Sequence, residues 1–159
     1  MDISLDYRDL FRILNRHKVK YLIVGAYAVV YYTEPRFTKD LDLWVKADIK
    51  NAEKLYKALK QFGAPLRDIR LKDFTNERMV YQIGIAPIRV DIIMGLPGIS
   101  FDLAWKNRVR SKYEDTQINI IGIKDLIKSK KKANRPHDRL DLNRLTAKKR
   151  AGNKSAFTS

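Results

Sequence analysis

The stretch Gly25–Val45, GAYAVVYYTEPRFTKDLDLWV, decides the fold. It follows the wholly apolar run Tyr21-Leu22-Ile23-Val24, which reads as a buried strand. Gly25 turns that strand directly into a helix, expected over Ala26–Tyr32 and stopped by Pro35. The next run, Asp40–Lys46, alternates acid and leucine and reads as a half-buried strand. Leu41 and Leu43 then face the core, and Asp40 and Asp42 face outward. Their Cα atoms stand roughly 6.5 Å apart on one face of the strand.

Two readings of that pair compete. They are solvated acids on an exposed face, or they hold a hard cation such as Mg²⁺, which binds through carboxylates and substrate phosphates. Asp91 tips the balance toward the cation. It interrupts the β-branched run Arg89-Val90-Asp91-Ile92-Ile93, where an unpartnered charge is costly. Arg89, a backbone donor or a metal would satisfy it, and a metal shared with Asp40 and Asp42 explains it best. Gly25 at a helix N-terminus allows phosphate to approach backbone N–H groups, although a tight turn alone also needs glycine. Arg36 can grip a phosphate through two parallel hydrogen bonds, whereas Lys39 reads as a solvated loop charge. Thr38 can cap its local backbone. His17 and His137 have no metal-ligand spacing and read as surface residues.

The remaining elements follow from periodicity. A first helix, capped by Ser4, is expected to run to about His17. Ile49–Phe62 is helical and stopped by Gly63. Met79–Ile85 and Ile88–Met94 form an antiparallel hairpin around Ala86-Pro87. A short helix over Phe101–Arg108, a strand over Gln117–Ile121 and helices over Lys124–Ala133 and His137–Thr146 complete the chain. The fold class is α+β, with a mixed sheet and flanking helices, because the hairpin breaks regular strand–helix alternation. Residues 1–146 are expected to form one domain, closed by helices at about 124–146, with residues 147–159 as a basic mobile tail.

Composition sets outer limits. The 159 residues are 45% hydrophobic, enough for a core. No cysteine is present, which excludes disulfides and thiolate zinc sites and fits a cytoplasmic protein. The longest apolar stretch, Tyr21–Tyr32, is too short to cross a membrane, and the acidic start MDISLDYRDL is no signal peptide. The net charge is +15, and Lys124–Lys154 alone carries 12 Lys or Arg against 3 Asp. That end fits an anionic partner, and equally a solvated helix face. Lys128, Lys131, Lys132 and Arg135 are spaced to share one helix side.

The ordered set Gly25-Ala26, Asp40-Leu41-Asp42 and Asp91 resembles the nucleotidyltransferase-fold superfamily, to which DNA polymerase beta and the aminoglycoside nucleotidyltransferases belong. The run Arg36–Asp42 and the stretches Ile123–Lys130 and Arg135–Asp141 look most like small bacterial and archaeal nucleotidyltransferase proteins related to abortive-infection toxins. The resemblance covers roughly Tyr21–Leu145. It implies transfer of a nucleoside monophosphate from an NTP to an acceptor hydroxyl, with Mg²⁺ held by Asp40, Asp42 and Asp91. Gly25, Ala26, Arg36, Thr38 and Lys130 would bind the nucleotide, and Asp138 would orient Lys130. The acceptor would be a nucleic acid such as RNA, or a protein. Ala26 departs from the pattern, since many active members carry Gly or Ser there. The alternative is a non-catalytic nucleotide- or nucleic-acid-binding module, part of a toxin–antitoxin pair.

Overall fold

The computed structural model describes residues 6–33, 40–85 and 88–158. Ser4, Glu34–Lys39 and Ala86-Pro87 lie outside them, so the roles expected of Arg36, Thr38 and Lys39 concern residues beyond the described set.

The chain runs α1 (Tyr7–Arg16), β1 (Tyr21–Val24), α2 (Gly25–Tyr32), β2 (Asp40–Val45) and α3 (Ile49–Phe62). A 3-10 turn over Leu71–Thr75 leads to the hairpin β3 (Val80–Ile85) and β4 (Ile88–Ile93). Then come α4 (Phe101–Lys106), β5 (Val109–Tyr113), β6 (Thr116–Ile120), α5 (Ile123–Ala133) and α6 (Pro136–Thr158). The six strands form one mixed sheet in the order β3-β4-β2-β1-β6-β5. β1–β2, β3–β4 and β5–β6 are antiparallel, while β2–β4 and β1–β6 are parallel. The α+β class and mixed sheet expected from the sequence are present.

One sheet face is closed by α1 and α3, which pack on each other, with α1 also against β6. Leu10, Phe11 and Leu14 of α1 are fully buried, and Phe11 stacks on Tyr21 with ring centroids 6.1 Å apart. The cap of α1 is Asp6, which accepts a hydrogen bond from the Asp9 N–H at 3.2 Å. Gly63 ends α3 at φ +92°, a left-handed conformation that glycine reaches without strain. Asn51, buried in the first turn of α3, ties the ends of two strands together. Its Oδ1 accepts from the Lys20 N–H at 2.8 Å, and its Nδ2 donates to the carbonyls of Lys20 at 3.1 Å and Lys46 at 2.9 Å.

Three sequence expectations are corrected. The helix starting at Phe101 ends at Lys106, and the residues after Arg108 form β5, an unforeseen edge strand. The turn between β5 and β6 is Glu114-Asp115, with Glu114 at φ +55°, where Asn or Gly would have announced a hairpin. The last helix does not stop at Thr146. It continues to Thr158, through the segment expected as a tail.

Candidate active site

β1 delivers the chain to Gly25, and α2 begins there without a side-chain cap. Its first-turn N–H groups, those of Gly25 and Ala26 included, are therefore available at the positive end of the helix dipole. Gly25 has φ +65°, and a Cβ at that position would collide with Asp42 Oδ2. Glycine is required on both counts, and its absent side chain lets the carboxylate sit against the start of the helix.

β2 and β4 bring the carboxylates together. They pair in parallel with Asp42 opposite Asp91 and Asp40 opposite Arg89, so Asp40, Asp42 and Asp91 rise from one face. That face forms a cleft of about 540 Å³ whose lining includes Gly25, Ala26, Asp40, Asp42, Asp91 and Lys130. Six residues singled out in the sequence thus share one cavity. Asp40 is exposed, as expected, but Asp42 is only partly so.

Burial pushes the Asp42 carboxyl up to about 6, and the Asp91 and Asp40 charges add to the rise. Arg89 and Lys130 offset it only in part. Burial also raises the Asp91 carboxyl, against the pull of the Arg89 guanidinium. Arg89 Nε lies 3.2 Å from Asp91 Oδ1, close enough for an ion pair. Both atoms are buried and neither is aligned into a hydrogen bond. Nearby Tyr7, on α1, has its hydroxyl pushed up to about 12 by burial and then by the Asp40 charge.

The donor set suits a hard cation. It offers oxygen only, its anions are crowded without full compensation, and one buried carboxylate oxygen has no hydrogen-bond partner. Among the described residues, however, no group of three or more His, Cys, Asp or Glu side chains is already arranged to ligate an ion. The carboxylates would have to draw inward around one.

Lys130 reaches the cleft from α5, but its ammonium is not a free charge. Its Nζ lies 3.0 Å from Asp138 Oδ1 and 3.2 Å from Asp141 Oδ2. Asp138 is fully buried and also accepts from the Arg135 backbone N–H at 3.0 Å and Arg135 Nε at 2.8 Å. Burial alone would raise the Asp138 carboxyl, but its bonds from Arg135 and Lys130 hold it well below the usual range. Lys130 and Asp138, both singled out in the sequence, are thus in direct contact. Asp141 and Arg135 are additions. Asp141 was detectable in principle, because it stands three residues after Asp138 on the same helix face. The basic stripe expected on one helix side is divided, since Arg135 lies between α5 and α6 and is committed to Asp138. His17 and His137 are not part of the cleft lining.

No protein-family model matches the chain, and no curated protein matches its sequence. Its likeness is to solved structures. The lincosamide antibiotic adenylyltransferase LnuA, in a crystal structure with lincomycin bound, superposes with a TM-score of 0.53 at 16% identity, covering 90% of this chain and 98% of that one. TM1012 from Thermotoga maritima, a candidate nucleotidyltransferase, superposes with a TM-score of 0.58 at 13% identity, covering 89% and 90%. The chain has the nucleotidyltransferase fold.

Proposed function

We infer that the protein transfers a nucleoside monophosphate from an NTP to an acceptor hydroxyl. The observation that carries this reading is the in-register pair Asp42 and Asp91, set against the uncapped start of α2 in one cleft with Lys130. The fold shared with an adenylyltransferase supports it.

The N–H groups of Gly25 and Ala26 receive phosphate oxygens of the nucleotide. Lys130, held by Asp138 and Asp141, presents a fixed positive charge that the triphosphate shares. Asp91, its carboxyl raised by burial, takes the proton of the acceptor hydroxyl. The hydroxyl oxygen then bonds to the α-phosphorus, the bond to the β-phosphate breaks, and pyrophosphate leaves. Bound Mg²⁺, held by Asp40, Asp42 and Asp91, would supply neutralisation of the phosphate charge. No helix among the described residues is long and apolar enough to cross a membrane.

A second reading, nucleotide binding without transfer, draws on Ala26, which offers no hydroxyl to a phosphate. Incubation with each labelled NTP, Mg²⁺ and total cellular RNA or protein separates the two. Label on an acceptor with wild-type protein, and none with Asp42→Asn, supports transfer. Nucleotide binding with no transfer to either fraction supports the binding module.

A further inference from the structure

A second groove, of about 490 Å³, lies away from the carboxylates, beside α4. Lys18, Lys20, Lys54, Trp105 and Asn119 line it. None of the three lysines enters an ion pair among the described residues. Lys20 stands at the start of β1 and Asp42 opposite its end, a separation along the strand of about 13 Å. Part of its lining nevertheless stands on the same sheet face as the cleft, while Asn15 of α1 and Lys54 of α3 close it from the other side. Ile120 pairs with Ile23, which puts neighbouring Asn119 on the side of Val24, Asp42 and Asp91.

Asn119 is only 9% exposed and sets a side-chain amide in the lining of the groove, between these cations. The charge around it extends as a track. On β5, Arg110 pairs with Asn119 and Lys112 with Gln117, so both basic side chains project beside the amides of β6. Lys20 Nζ stands 5.9 Å from the centre of the Trp105 ring, and the Arg108 guanidinium 3.9 Å. The Lys20 backbone is fixed by Asn51, so this part of the track is held in place.

A compact anion needs one cluster of cations. Cations spread over α3, the start of β1 and β5, with an amide among them that can both donate to and accept from a base edge, fit a chain of phosphates carrying bases. We propose that this groove binds a single-stranded polynucleotide, and that such a strand is the acceptor. The identification as acceptor rests on the transfer reaction inferred above; the binding does not.

The test measures fluorescence anisotropy of a labelled single-stranded RNA oligonucleotide against salt, without nucleotide or divalent ion. Wild type is expected to bind with a steep salt dependence. Lys20→Glu with Lys54→Glu, both on exposed side chains that leave the melting temperature unchanged, is expected to weaken binding at least about tenfold and to reduce the log–log slope by roughly 1.4, at about 0.7 per lost phosphate contact. Asn119→Ala is expected to weaken binding severalfold with the slope kept. The same reversal at Lys128 and Lys131 on α5 should cost less. Single-stranded DNA of the same sequence is the second arm, and a preference for RNA assigns the 2′-hydroxyl a role. Unchanged affinity in the Lys20/Lys54 variant overturns the proposal, as does displacement by inorganic phosphate at equal phosphate concentration, which would leave a simple anion pocket. If the groove variants lose RNA binding while wild type transfers no label, the transfer reading alone fails.

Discussion

Asp42 and Asp91 stand side by side across two parallel strands, on the face that carries the cleft, with the start of α2 pressed against one of them. Like charges in that position oppose folding unless something positive joins them. The site therefore carries its functional preference as a measurable instability.

Asp42→Asn should stabilise the ligand-free protein. The wild-type carboxyl is raised from 3.8 to about 6, so its ionised form is disfavoured in the folded state. That penalty is fully present above pH 6, shrinks as pH falls toward 4 and is absent below. The variant should gain about 1–3 kcal/mol at pH 7.5 and nothing at pH 4. Urea unfolding at both pH values measures it; no gain at pH 7.5 would mean the charge is already compensated.

NTP with Mg²⁺ should raise the melting temperature of wild type, because a ligand bound only by the folded state stabilises it. The Mg²⁺-dependent part should fade as pH drops through 6, where Asp42 takes up a proton. It should be missing in Asp42→Asn. Scanning calorimetry with and without Mg²⁺ decides, and equal increments in the two proteins would remove Asp42 from the metal site.

Gly25→Ala should fold poorly or lose nucleotide binding. The φ of +65° strains any other residue, and the added methyl displaces Asp42 Oδ2. The expected cost is about 1–3 kcal/mol, with nucleotide affinity falling further than stability predicts. Isothermal titration beside a melting curve separates the two effects.

Asp138→Ala should be the most damaging single change near the cleft. It leaves the buried Lys130 with Asp141 alone and strips the start of α6 of its acceptor. About 3 kcal/mol of stability should go, as for other broken buried pairs. Because this carboxyl is held low, the wild-type advantage should be complete above pH 4 and disappear as acid protonates it. Equal stability of the two proteins at pH 7 would show that the pair contributes nothing.

Much of this arrangement was legible in the chain because it rests on local rules. Alternation in Asp40-Leu41-Asp42-Leu43 fixes the outward face, and Gly25 between an apolar strand and an apolar helix marks a strand-to-helix turn. Asp91 was conspicuous because an acid does not belong in a β-branched run. What escaped depended on distant partners or on turn chemistry without its usual residues. β5 reads Val-Arg-Ser-Lys-Tyr, too polar to suggest a strand, and Glu114 hides its turn. The double grip of Asp138 and Asp141 on Lys130 needs the fold of α6 back along α5, which periodicity does not give. The partial burial of Asp42 follows from its contact with Gly25, seventeen residues earlier, and not from its own strand.

The parallel pairing of β1 with β6 joins Ile23 to Ile120, more than half the chain away. During synthesis on the ribosome, β1 emerges early and waits with one edge open until Thr116–Ile120 has been made. The core beneath α1, which packs on β6, cannot close before then. Folding is expected to be slow for a chain of this size, governed by one late, long-range closure. The exposed early strand, Tyr21–Val24, is the segment most prone to pair with a neighbouring nascent copy.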